Sequence, residues 1–250
     1  MIPQQIFVKY NSFIDDLNAT IGKAQSLLAQ NPRKKTKYLF SYSIFFKIIY
    51  GYKAIIQLLK NTEDFVIEAN NILRSIVESL FVLKYLSTNP CDAIKRLEKN
   101  YEIYQNKRKV DILKHPDLKD LRIYIKDEEI EEIFEKKKEN HKETGIKKWS
   151  NLSHLSRMYH LPYDTLSVES HTNLKSISDR IQKIDDRIEF IRPDSPEDYD
   201  RCFITTIIVI MISLETIENI FKIDIKKDIE TIDKEFLEIQ RDNSNANPNQ

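Results

Sequence analysis

Residues 63–86 constrain this chain more than any other stretch, because apolar side chains surround them. Phe65, Ala69, Ile72, Leu73, Ile76, Val77, Leu80, Phe81 and Leu83 recur at spacings that cover nearly every side of a helix. A helix apolar all round belongs at the centre of a helical fold. One polar stripe interrupts it: Arg74 and Glu78 lie four residues apart on one face, with Asn71 a turn before and Tyr85 two turns after. Burying charges is costly unless they are paired and hydrogen-bonded. The pair is therefore either a structural tie to Tyr85, His171 or a loop carbonyl, or an arginine that Glu78 positions to meet an anionic ligand group.

Around this helix the pattern predicts an all-α fold, a bundle of about seven to nine helices in a single domain over residues 1–240. A first helix is expected over 5–29, with Ile6, Phe13, Leu17, Ile21 and Leu28 as its apolar stripe and Asn31-Pro32 as its stop. The basic run Arg33 to Lys37 reads as a solvated interhelical loop, with phosphate binding as the functional alternative. The second helix, 38–60, is crowded with Tyr38, Phe40, Tyr42, Phe45, Phe46, Tyr50 and Tyr52, interleaved with isoleucines. Core packing on more than one side is expected there, rather than stacking on nucleic acid. Asn61 or Thr62 should cap the organising helix.

A fourth helix is expected from Asp92 to Leu113, ended by Pro116. Residues 126–148 turn from acidic to lysine-rich, which predicts a charged, exposed helix and a mobile loop around Gly145. Trp149 opens a new ordered region, and Leu161-Pro162-Tyr163 is expected to start a short helix. Leu174, Ile177, Ile181, Ile184 and Ile188 predict a helix over 174–190. Ser195-Pro196 should start another that packs on the organising helix. A last amphipathic helix over 226–240 and a disordered tail over 241–250 complete the reading.

Several function classes are excluded. Only three glycines are present, so neither a phosphate-cradling loop nor a dinucleotide turn can be built. No His follows a Glu by three residues and no two His are four apart, so di-iron and HExxH zinc patterns are missing; no metal and no cofactor is expected. Basic and acidic residues balance at 39 each, giving no overall pull towards nucleic acid or anionic membrane. Two cysteines make no disulfide framework, and no export signal is visible, which predicts a cytoplasmic protein. The run 203–214 is too short for a bilayer span, and Lys47 and Lys53 interrupt 38–59, so no membrane partner is expected.

Ser167, Ser170, His171 and Asn173 gather hydroxyl, imidazole and amide groups within seven residues, and helical spacing puts Tyr163 on the same side. His171 is a candidate general acid or base, since imidazole titrates near neutrality. As a structural residue it would cap a helix end. The Arg74-Ser75-x-x-Glu78-Ser79-Leu80 helix with Leu83-Lys84-Tyr85, the Trp149-led helix, and Tyr163 followed by Leu166-Ser167-x-x-Ser170-His171 resemble an uncharacterised, all-helical bacterial domain family of unknown function. The likeness spans about residues 70–173, though His160 stands near where the family would have a glycine. It implies a helical architecture and points to Arg74, Glu78, Tyr163, Ser167 and His171. A looser resemblance is to helical-bundle toxins and defence ribonucleases of the HEPN class, whose Arg and His lie five to seven residues apart; Arg108 and His115 match that spacing.

Two functions are therefore expected. In the first, Arg74, Glu78 and His171 act as the catalytic set of a metal-independent ribonuclease in bacterial stress or phage defence. Tyr85, Tyr163, Ser167, Ser170 and Asn173 would then hold its RNA substrate. In the second, the same residues organise a non-catalytic helical binding or scaffold protein that meets another protein. A homodimer through an apolar helix face is expected as a further partnership.

Overall fold

The computed structural model describes residues 3–30, 33, 35–61, 65–126, 130–131, 133, 145–163, 166, 181–184, 187–190 and 196–246. The protein is an all-α helical bundle. Four long helices come first: α1 (Pro3–Gln30), α2 (Thr36–Asn61), α3 (Val66–Thr88) and α4 (Pro90–Lys114). A 3₁₀ segment, Pro116–Tyr124, follows, kinked at Leu118. After it come α5 (Ile146–Leu152), the short α6 (Ser156–Met158) running into a π-helical turn over Tyr159–Tyr163, α7 (Pro196–Phe221) and α8 (Lys226–Ala246).

The organising helix of the sequence is α3, and it packs against α2, α7, α5 and α4. Leu73, Ile76, Val77, Leu80, Phe81 and Leu83 are all buried in the main core, as are Phe45, Ile48, Ile49 and Ile55 of α2 and Phe203, Ile207, Ile210 and Leu214 of α7. α2 and α7 run antiparallel, and each end of the pair is tied. The Tyr199 hydroxyl donates to the Leu59 carbonyl (2.6 Å), and the Arg33 guanidinium donates to the Phe221 carbonyl (2.8 Å) and to the Tyr38 hydroxyl (3.0 Å). Arg33 thus satisfies an orphan carbonyl at the end of α7, so one cation of the basic loop is used in the fold rather than left to solvent. On the other side, α1 is joined to α8 by Lys23–Asp228 (2.6 Å) and by Gln240 donating to the Tyr10 hydroxyl (2.8 Å).

The outer half of α4 leaves this core. Val110 is buried instead with Ile125 and Ile133 in a small satellite cluster, and Arg122 donates to the Leu113 carbonyl (2.8 Å) to hold the 3₁₀ segment against α4. Two helical stretches, Thr36–Lys60 and Asp198–Phe221, are long and apolar enough to cross a membrane by length and composition; the most apolar windows are 39% and 61% buried inside the bundle, respectively.

Four local expectations are corrected. Residues 181–184 and 187–190 form an antiparallel hairpin, β1 and β2, pairing Ile181 with Phe190 and Ile184 with Arg187, where a helix over 174–190 was expected. The isoleucines at steps of three and four mimic a helical period, but the two residues between the strands, Asp185 and Asp186, are of a turn-forming type. The N-cap position of α3 is Phe65, without a side-chain cap, and Asn61 is the last residue of α2. Tyr163 ends a π-helical turn rather than starting a helix. α8 continues to Ala246, so the chain is helical over the first part of the expected tail. Most of the expected charged helix and loop at 126–148 lies outside the described residues. Gly145 itself is the exposed N-cap residue of α5.

α2 lies close against α3 at Gly51. A Cβ there would lie 2.3 Å from Ile76 Cγ2 and 3.4 Å from Ile72 Cγ2. Gly51→Ala is expected to destabilise the bundle by about 1–3 kcal/mol through overpacking. In denaturant unfolding, adding Ile76→Ala should recover part of the loss caused by Gly51→Ala. Strict additivity of the two substitutions would contradict the close approach.

Candidate functional site

Because Ile72 and Ile76 are committed to α2, residues two places either side of Ile76 project about 200° away around α3. Those residues are Arg74 and Glu78, whose side chains are 24% and 31% exposed. Tyr163 meets them from the π-helical turn. The chain reaches that turn through a tight reversal after α5: His154 adopts a left-handed φ of 59°, and the Leu155 N–H reaches back to the Ser150 carbonyl at 2.9 Å. The left-handed residue is therefore His154. His160, where the resemblance suggested a missing glycine, lies inside the π-helical turn.

The three groups bind one another. The Tyr163 hydroxyl donates to Glu78 Oε1 (2.7 Å), and Arg74 Nε donates to the Tyr163 oxygen (3.4 Å) and lies 3.4 Å from Glu78 Oε1. The guanidinium also sits over the Tyr163 ring, 5.5 Å from its centroid, a favourable cation–π position. The ring is held by stacking on Tyr159 at 5.2 Å and by the edge of Phe81 at 6.2 Å. Burial pushes the Tyr163 phenol up to about 12; the hydrogen bond to Glu78 adds to this and Arg74 opposes it. Burial works against the Arg74 charge, yet the bonds and fields of Tyr163 and Glu78 outweigh it and hold the guanidinium above its ordinary value.

Tyr85 does not join this set. Its hydroxyl donates to Asp92 Oδ2 (2.6 Å), Asp92 is also paired with Arg96, and the ring meets the edge of Trp149 at 5.9 Å. The hydrogen bond to Asp92 raises the Tyr85 phenol, while the bonds from Arg96 and then Tyr85 lower the Asp92 carboxyl. Sequence reasoning missed Asp92 and Arg96 as the partners of Tyr85. The available signal was their i, i+4 spacing immediately after Asn89-Pro90. Ser167, Ser170, His171 and Asn173 lie outside the described residues. The looser Arg108–His115 pair is on the surface, where His115 Nδ1 stands 3.7 Å from Asp117 Oδ2.

A family of unknown function, DUF5677, matches residues 38–188, more than half of the chain. The protein belongs to this family. No curated protein and no solved structure matches it. The DUF5677 region contains both sides of the polar cluster, α3 and the turn at Tyr163, together with the Tyr85–Asp92–Arg96 set. Helices α1, α7 and α8, which complete the core, fall outside the matched residues.

The raised phenol has a consequence for stability. A folded-state pKa above the ordinary 10.0 means that the native state holds this proton more tightly than the unfolded chain. The contribution is complete below about pH 10 and is lost as the pH rises towards 12. Tyr163→Phe is expected to remove that alkaline component from the stability profile measured by urea unfolding. An unchanged alkaline slope in Tyr163→Phe would contradict the assignment.

Proposed function

We propose that this protein is a metal-independent ribonuclease, a bacterial stress or phage-defence effector, with Arg74, Glu78 and Tyr163 at its reacting site. The observation that carries this reading is the convergence of a carboxylate, a guanidinium and a protonated phenol from two distant segments in a partly exposed position. Such groups can serve phosphodiester cleavage without metal, as base, charge stabiliser and donor. Glu78 would accept the proton of an RNA 2′-hydroxyl, the 2′-oxygen would bond to phosphorus, and Arg74 with Tyr163 would stabilise the charge gathering on the phosphoryl oxygens. The bond from phosphorus to the 5′-oxygen breaks, His171 returning a proton to the leaving oxygen. The products are a 2′,3′-cyclic phosphate and a 5′-hydroxyl end.

One observation favours a second reading, a non-catalytic binding or scaffold protein. Arg74, Glu78 and Tyr163 satisfy one another, and their bonds fasten the Tyr159–Tyr163 turn to α3, as a purely structural tie would.

Cleavage of single-stranded RNA by the purified full chain, in the presence of EDTA, separates the two. The ribonuclease reading predicts cleavage that leaves cyclic phosphate ends and falls at least ~100-fold in Glu78→Gln and in His171→Ala, with the melting temperature of His171→Ala within a few degrees of wild type. Absence of cleavage, or cleavage indifferent to both substitutions, would remove it. A fall in melting temperature in Arg74→Ala and Glu78→Gln without any activity would establish the scaffold reading instead.

A further inference from the structure

α1 and α2 diverge along part of their length, and a cleft of about 360 Å³ opens between them. Asn18 and Gln25 of α1 face Lys53 and Gln57 of α2 across it, above the buried Tyr52 and Ile56. No carboxylate lines it. The Tyr52 side chain is 1% exposed, and its hydroxyl has no hydrogen-bond partner among the described residues. A buried donor without a partner costs free energy. Burial, with the nearby Asp15 adding, pushes this phenol well above its ordinary range, so it remains a donor.

The cleft continues an unusual helix face. Tyr42, Phe46, Tyr50, Lys53 and Gln57 follow one another at steps of three and four, so they share one stripe of α2. The rings of Tyr42, Phe46 and Tyr50 succeed each other at 4.4 and 6.1 Å, and Tyr50 is 64% exposed. A solvated helix face ordinarily carries both signs of charge. Residues 31–62 hold Arg33, Lys34, Lys35, Lys37, Lys47, Lys53 and Lys60 and no Asp or Glu, in a chain whose charges balance at 39 to 39. Arg33 is bound to the end of α7, but Lys47 and Lys53 are exposed on α2. Aromatic rings, cations and amides on one face, with carboxylates absent, complement an anionic polymer with planar bases.

We infer that the α1–α2 cleft and the aromatic stripe leading into it form a groove for single-stranded RNA, an inference that rests on the ribonuclease reading above. Bases stack on Tyr50 and its neighbours. The amides of Asn18, Gln25 and Gln57, each both donor and acceptor, meet base edges, and Lys53 meets phosphates. Arg74 and Glu78 project from the side of α3 away from α2, so the groove is a strand-binding surface separate from that cluster.

Fluorescence anisotropy with a fluorescein-labelled oligouridine and the full-length protein tests the groove apart from cleavage. Tyr50→Ala is expected to weaken binding at least ~5-fold. Lys53→Gln should lower the slope of log affinity against log salt by about 0.7. A Cβ at Gly22, which also lines the cleft, meets nothing within 4 Å. Gly22→Leu should therefore fill the cleft and weaken binding without loss of melting temperature. Wild-type affinity in all three groove variants, or no binding by the wild type, would overturn the inference. So would displacement of the oligonucleotide by uridine monophosphate at equal concentration, because the cleft would then take a free nucleotide. Binding retained without cleavage would remove the ribonuclease reading and leave the groove; cleavage unaffected by the groove variants would do the reverse.

Discussion

The close approach of α2 to α3 at Gly51 sets the geometry on which the rest depends. A side chain at that position would collide with Ile76, so only glycine lets the two helices pack at this separation. With Ile72 and Ile76 turned towards α2, the opposite side of α3 is left for Arg74 and Glu78. α7 closes the core by packing on both helices, and its two ends are fixed to α2 by Tyr199 and Arg33. The polar cluster is thus carried by a helix that is packed along most of its length. Its position is held by apolar contacts that take no part in its chemistry.

Two polar clusters on this scaffold use the same three chemical groups, a guanidinium, a carboxylate and a phenol. Arg74, Glu78 and Tyr163 form one, and Arg96, Asp92 and Tyr85 the other. In each, an arginine and a carboxylate four residues apart on one helix share a tyrosine, and in each the phenol is made harder to ionise. They differ in reach. Tyr85 and Asp92 are seven residues apart and join α3 to the start of α4, whereas Tyr163 comes from 85 residues beyond Glu78. The long-range cluster fastens a separate segment to the central helix, which is why it is the candidate for function. The local one reads as a brace at the α3–α4 corner, with Trp149 against it.

Much of this was legible in the sequence where a single period dominates. The central helix, the crossing of α7 over it, and the pairing of Arg74 with Glu78 follow from apolar coverage and i, i+4 spacing alone. The family resemblance pointed to Tyr163 as a site residue but not to its bond with Glu78, because 85 residues separate the two. The hairpin at 181–190 was not legible, because Ile181, Ile184 and Ile188 keep the three-and-four spacing of a helix while the strands that hold them are only four residues long. The partner of Tyr85 was misassigned because a shared stripe on α3 cannot show that α4 turns back to offer Asp92. The use of Arg33 was also hidden: a basic run reads as solvated until the end of α7 is seen beside it. The aromatic residues of α2 were read as core, and all of them but the exposed Tyr50 lie in the core or pack against it.

The account stands most directly on the coupling between Glu78 and Tyr163, which a double-mutant cycle in urea unfolding at neutral pH measures. If the Tyr163 hydroxyl donates to Glu78 in a partly buried site, Glu78→Gln and Tyr163→Phe together should cost less than the sum of the two alone, with a coupling of about 0.5–3 kcal/mol. Additive losses would mean that the two side chains do not meet, and the site built on α3 would fall with them.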